Sequence, residues 1–254
     1  MPFCVFCGEP KVSREHVWPQ WVKRGLPNPP KRVVHARRGA TVPEAKREGP
    51  SFDLVVRRVC RTCNSGWMAR LEDDARPLLA PLVLGRGRAL HAAGQELVSR
   101  WALKTAMMLE FSHPNGLAMP ATDRHRLYES GRLPDYCQVW IGLYGGRRLN
   151  TFYFHDRIRW PAPDGSTRAT AYAVTFGIGH LLFHLWVSDH PGWETEYLSP
   201  LSSRLHQVSP YVGSVTVGRP LVEDSHLEMA VYGQRNTVGR AQARRLNLLR
   251  PRVN

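Results

Sequence analysis

Nowhere does the chain offer the roughly 18 consecutive apolar residues that a membrane-spanning helix needs. Its opening, MPFCVFCGEP, lacks the charged segment and apolar run of a secretory signal. These absences predict a soluble, cytoplasmic protein with no membrane partner. Cysteine is scarce, five in 254 residues, and in a reducing compartment five thiols are poor material for disulfides. Acidic side chains are few as well, with 21 Asp and Glu against 35 Lys and Arg. Internal repeats and low-complexity tracts are missing.

The shortage of acid leaves a formal charge of +14, concentrated toward the N-terminus. Residues 1–90 carry 17 basic against 8 acidic side chains, a balance of +9, and the remainder 18 against 13, a balance of +5. Such a field attracts polyanions, and each Lys or Arg seated on a phosphate releases counterions. A solvated basic surface is the plainer reading, so charge supports a nucleic-acid partner without establishing one.

At 43% hydrophobic content the chain can bury one sizeable core or two modest ones. The pattern predicts an α+β protein with a small domain over 1–92 and a larger α+β domain over 93–254, of open role, built on a mostly antiparallel sheet. In the small domain KVSREHVWP reads as a short extended piece stopped by Pro19. Residues 26–50 read as a loop with one short strand at Val33–His35, and FDLVVRRV reads as a strand. Trp67, Met68, Leu71, Leu78 and Leu79 recur at helical spacing, with Pro77 expected to kink or restart the helix. GRGRALHAAG marks the boundary.

Beyond it, Val98, Trp101, Ala102, Thr105, Met108 and Leu109 predict the buried face of a helix. From Tyr136 the period becomes two, with Cys137, Val139, Ile141 and Leu143 on one face. TFYFH, ATAYAVTF, HLLFHLWVS and SVTVG are the further strand candidates. The tail QARRLNLLRPRVN reads as a short helix or a loose basic end.

Four of the five cysteines fall as two Cys-x-x-Cys pairs, Cys4 with Cys7 and Cys60 with Cys63. Four thiolates satisfy a tetrahedral zinc ion completely and leave no position for substrate, so such a site is structural; buried free thiols are the alternative. The long separation from Cys7 to Cys60 requires two knuckles brought together by the elements between them, which makes EHVWP a neighbour of the second knuckle. Glu15 and Asn64 then supply hard oxygen ligands suited to Mg or Mn, and His16 an imidazole able to take a proton from water near neutral pH. Neighbouring side chains on a strand point to opposite faces, so Glu15 and His16 share a site only where the strand ends or bulges. The alternatives are a surface ion pair for Glu15 and His16 and a helix N-cap for Asn64.

Taken together, CVFCGEP, SREHVWPQW and CRTCNSGWMARLE resemble the zinc-bearing branch of the HNH endonucleases, the ββα-metal fold, over roughly residues 4–75. The resemblance implies that Glu15 and Asn64 hold a catalytic Mg or Mn ion, that His16 is the general base, and that Cys4, Cys7, Cys60 and Cys63 hold a structural zinc. It implies hydrolysis of phosphodiester bonds, in DNA more than in RNA. A zinc-stabilised nucleic-acid-binding module without cleavage is the competing expectation. One departure is the absence of the family's middle Asn, which braces the loop carrying the base; Asp53 or a backbone group is expected in its place. Lys11, Arg14, Arg61 and Arg70 lie close enough in sequence to hold flanking phosphates, or simply face water.

The remaining candidates are weaker. His180 and His184 have the spacing of a zinc-protease helix but lack its Glu, and the run is strand-like. Cys137, Trp101 and Trp140 read as core. Tyr128, Asp135 and the loop SDHPGWETEY at 188–197 are candidates for a recognition surface.

Overall fold

The structure is a computed structural model that describes residues 2–26, 32–37, 45–48, 53–112, 119–146, 151–161, 167–188 and 201–227. In chain order the elements are β1 (Val12–His16), α1 (Gln20–Gly25), β2 (Arg32–Arg37), β3 (Ala45–Glu48), β4 (Val55–Cys60), α2 (Arg61–Cys63), a wide π-type turn over Asn64–Met68, and α3 (Ala69–Val83). There follow β5 (Arg88–Leu90), α4 (Ala92–Glu110), α5 (Ala121–Ser130), β6 (Cys137–Leu143), β7 (Thr151–Pro161), β8 (Thr167–Ile178), β9 (Leu181–Ser188), a 3-10 turn, β10 (His206–Ser209) and β11 (Val215–Val217).

The protein is therefore a mixed helix and sheet structure. Seven strands form the main sheet in the order β10-β6-β9-β8-β7-β2-β3, antiparallel throughout except where β2 lies parallel to β7. Two smaller antiparallel pairs stand apart from it, β1 with β4 and β11 with β5.

The period-two pattern from Tyr136 does place Cys137, Val139, Ile141 and Leu143 on one face, where they join the main buried cluster. The other face is covered too. Trp140, Phe152, Phe154, Leu182 and Trp186 form a second cluster with Leu201, Leu205, Val222 and Leu227. Strands buried on both sides read as continuous apolar runs, and every residue of β9 is buried.

The main cluster is knit by aromatic rings from distant segments. Trp18, just after β1, lies 6.1 Å from Phe176 of β8, and Trp101 of α4 lies 6.3 Å from Phe176 and 5.8 Å from Phe183. Trp18 is fully buried, and truncating such a side chain costs about 3–5 kcal/mol. The cluster draws on residues from both sides of position 92, so the N-terminal elements and the sheet share it.

Some local expectations change. Pro77 does not restart the helix, because α3 continues from Ala69 to Val83 with Pro77 and Pro81 inside. Each proline forfeits one backbone hydrogen bond, but Leu71, Ala75, Leu79 and Leu82 anchor the helix in the core on either side. Within 26–50, two strands stand where one short strand was expected, β2 and β3; the rest of that loop, residues 189–197 of the recognition-loop candidate, and the basic tail lie outside the described residues. SVTVG supplies β11, which pairs with β5 rather than joining the main sheet.

Candidate functional site: four cysteines beside Glu15, His16 and Asn64

The two Cys-x-x-Cys pairs are brought together by backbone geometry. In the first knuckle Cys4 N–H donates to the Glu9 carbonyl at 2.7 Å and Gly8 N–H to the Cys4 carbonyl at 2.9 Å. Gly8 has φ of 78°, a left-handed conformation that favours glycine. Val5 N–H reaches the Arg58 carbonyl at 2.9 Å and so ties this knuckle to β4. In the second knuckle the Cys60 sulfur caps α2 by accepting from Cys63 N–H at 3.4 Å.

The four sulfurs of Cys4, Cys7, Cys60 and Cys63 lie within 4.8 Å of one another, and the Cys7 and Cys60 sulfurs are 3.5 Å apart. A tetrahedron with Zn–S bonds near 2.3 Å has edges of about 3.8 Å, so the group fits a structural metal such as zinc. Burial works against the Cys4 thiolate, yet backbone hydrogen bonds from Cys7, Cys60 and Phe6 outweigh it and hold the thiol at about 7. Burial pushes the Cys63 thiol far above its ordinary range. Cys137 is buried on β6 and stands outside this group, as a core residue should.

Packing around the knuckles reaches into the later part of the chain. Trp67 meets Phe6 edge to face at 5.0 Å and lies 6.4 Å from Tyr128 of α5. His125, also on α5, hydrogen-bonds through Nδ1 with the Phe6 carbonyl at 3.0 Å.

Next to the cysteines, β1 and β4 form an antiparallel ribbon followed directly by α2, the wide turn and α3. The register slips between Ser13 and Glu15, and β1 ends at His16. Both conditions under which adjacent Glu15 and His16 share a site are thus met. Glu15 is buried, at 6% exposure, and His16 is half-buried.

Asn64 opens the wide turn immediately after Cys63. Its Nδ2 donates to the Arg14 carbonyl at 3.1 Å and to Ser13 Oγ at 3.4 Å. Ser13 Oγ in turn donates to the Val59 carbonyl at 3.0 Å. The amide nitrogen of Asn64 therefore grips the backbone one residue before Glu15, while its Oδ1 takes no hydrogen bond among the described residues. Asp53 plays no such part: its carboxylate pairs with Lys23 at 2.8 Å on the surface. The end of β1 is held instead by Asn64 and by Val17 N–H on the Leu54 carbonyl at 2.9 Å.

Among the described residues nothing donates a hydrogen bond to the Glu15 carboxylate. Burial raises its carboxyl from an ordinary 4.5 to about 7, with the Lys104 ammonium drawing it down and the Glu72 carboxylate pushing it up. A buried, undonated carboxylate and a free amide oxygen form a donor set of hard oxygens, which fits a divalent cation such as Mg or Mn.

Glu72 and Lys104 were not legible as site residues. Glu72 follows Asn64 by eight positions, and the signal for Lys104 was a lone cation inside an apolar helix run, LKTAMM. Lys11, Arg14, Arg61 and Arg70 are all exposed, and so are Arg57 and Arg58 of β4, which sequence reasoning did not single out. The Arg58 guanidinium sits 5.7 Å over the Phe111 ring.

The other candidates keep structural places. His184 is buried in β9 and pairs through Nδ1 with Thr175 Oγ1 at 2.8 Å, while His180 lies in the preceding turn with Nδ1 2.8 Å from the Tyr144 carbonyl. Trp101 and Trp140 are core, and Tyr128 and Asp135 are exposed. No helix among the described residues is long and apolar enough to cross a membrane. No family model matches the chain, and neither a curated protein nor a solved structure matches it.

Proposed function

We propose that this chain is a divalent-metal-dependent endonuclease of the HNH class that hydrolyses phosphodiester bonds in DNA, with a zinc ion on Cys4, Cys7, Cys60 and Cys63 as its structural support. One observation carries the reading. Asn64, the residue directly after the second Cys pair, hydrogen-bonds the Arg14 carbonyl, and so the first turn after the second knuckle is fixed to the strand end that presents Glu15 and His16.

In this reading Glu15 and Asn64 Oδ1 are the protein ligands of Mg or Mn, and the ion when bound supplies Lewis-acid stabilisation of the phosphorane charge and the leaving 3′ oxygen. His16 takes the proton from the attacking water as general base. Asn64 has a double task, because its Nδ2 holds the ribbon while its Oδ1 faces the cation. Lys11, Arg14, Arg57, Arg61 and Arg70 supply exposed cations for the phosphates on either side. The surrounding charge of +14 favours encounter with a polyanion.

A second reading is a zinc-stabilised nucleic-acid-binding module without cleavage. It draws on Asp53, which is occupied by Lys23 and does not brace the base. Incubating purified protein with plasmid, single-stranded DNA and RNA in Mg or Mn separates the readings, with His16→Ala and Asn64→Ala beside it and zinc content verified by metal analysis. Cleavage by wild type and none by the zinc-loaded variants is the expected result. Nucleic-acid binding with no cleavage of any substrate refutes the nuclease reading, and cleavage of RNA alone moves the substrate class.

A further inference from the structure

Lys104 is fully buried, in a stretch of α4 whose neighbours Leu103, Ala106 and Met107 are buried and apolar. An ammonium in such a place is costly unless it is paired. Its partner among the described residues is Glu72 of α3, with Nζ 2.6 Å from Oε1, and the Trp101 ring lies 5.9 Å from Nζ. Glu15 is the third member of this charge cluster, buried at 6% exposure and undonated. Three segments therefore meet there: β1 with the candidate metal ligand, α3 with a second carboxylate, and α4 with the cation.

The charges do not balance. One ammonium faces two carboxylates, and the contact at 2.6 Å assigns it to Glu72. We propose that Lys104 and Glu72 are positioning residues of the divalent-metal site, in which Lys104 neutralises Glu72 and leaves Glu15 as the one uncompensated carboxylate for the cation. This rests on the metal-dependent reading above. It adds that α4, from the larger part of the chain, tunes the affinity of a site whose ligands all come from the first 64 residues. Without Lys104, Glu72 is an extra negative charge beside the cation; without Glu72, Lys104 is a positive charge opposing it.

The test is Mn binding to the zinc-loaded full chain at one fixed alkaline pH, read from the free-Mn paramagnetic resonance signal, for wild type, Glu72→Gln, Lys104→Met and the double variant. The expected pattern reverses sign. Glu72→Gln weakens binding roughly tenfold, Lys104→Met tightens it by a similar factor, and the double variant returns to within about threefold of wild type. A merely structural pair gives the same direction in both single variants or no change in either, and that result overturns the inference. If Lys104→Met does not fold, Glu72→Gln decides alone: unchanged or tighter binding sinks the proposal. Wild type that binds no Mn overturns the metal-dependent reading and this inference with it, whereas wild-type binding with indifferent variants overturns this inference only.

Discussion

Replacing Glu15 by Gln should make the metal-free, zinc-loaded protein more stable at neutral and alkaline pH. The carboxyl ionises near 4.5 in an unfolded chain and at about 7 when folded, raised by burial. Below about 4.5 it is neutral in both states and costs nothing. Between 4.5 and about 7 the unfolded chain ionises while the folded one does not, so stability falls as pH rises. Above about 7 both states are ionised and the loss is complete. A displacement from 4.5 to about 7 is worth about 3 kcal/mol, and the amide of Gln carries none of this pH dependence. Urea denaturation of wild type and Glu15→Gln across pH 4.5–8.5 measures the difference directly, and titrations common to both proteins cancel. The gap between the two curves should open through that window and favour Gln above it. Saturating Mn should close the gap by stabilising wild type alone. Parallel profiles refute the reasoning, for they mean that the Glu15 carboxylate is as well solvated in the folded protein as in the unfolded one.

Two other perturbations follow from the same geometry. Cys60→Ser removes one of the four sulfurs and the acceptor that caps α2, so metal analysis should show loss of zinc and circular dichroism a loss of helix, at a cost of several kcal/mol; Cys137→Ser should retain the metal. Asp53→Ala breaks an exposed ion pair with Lys23 and should change stability by less than about 1 kcal/mol, with cleavage unchanged, as checked by denaturation and plasmid nicking.

Legibility in the sequence followed the range of the interactions. The cysteine group was readable because ligand spacing is local within each pair, and the two pairs had no other common use. Strands β6 to β9 were readable from alternation, but alternation says only that one face is apolar. That Trp140 and Trp186 are also covered depends on residues 201–227, which lie at a distance the pattern does not report. Helix α5 was missed because ATDRHRLYES shows hardly any apolar stripe: it buries Asp123 and Arg124, satisfied by Tyr136 and by the Met119 carbonyl. Strand β10, with the polar sequence HQVS, is defined by its pairing with β6 rather than by its own composition. Within the site, Glu15, His16 and Asn64 were found because they sit beside the cysteines in sequence. Lys104 was passed over because a lone cation on an apolar helix face gains meaning only when its partner on another helix is known.

The parallel pairing of β2 with β7 has a consequence in time. Val34 aligns with Phe152, a separation of 118 residues, whereas the cysteine group is complete once residue 63 has emerged. At ribosomal rates of about 5–20 residues per second, β2 waits on the order of ten seconds for its neighbour. The growing chain is therefore able to capture its zinc and close the β1–β4 ribbon while a strand from the intervening segment is still unpaired. Conditions that slow translation between these points should raise the yield of metal-loaded but aggregated protein, because an open strand edge is a template for intermolecular pairing.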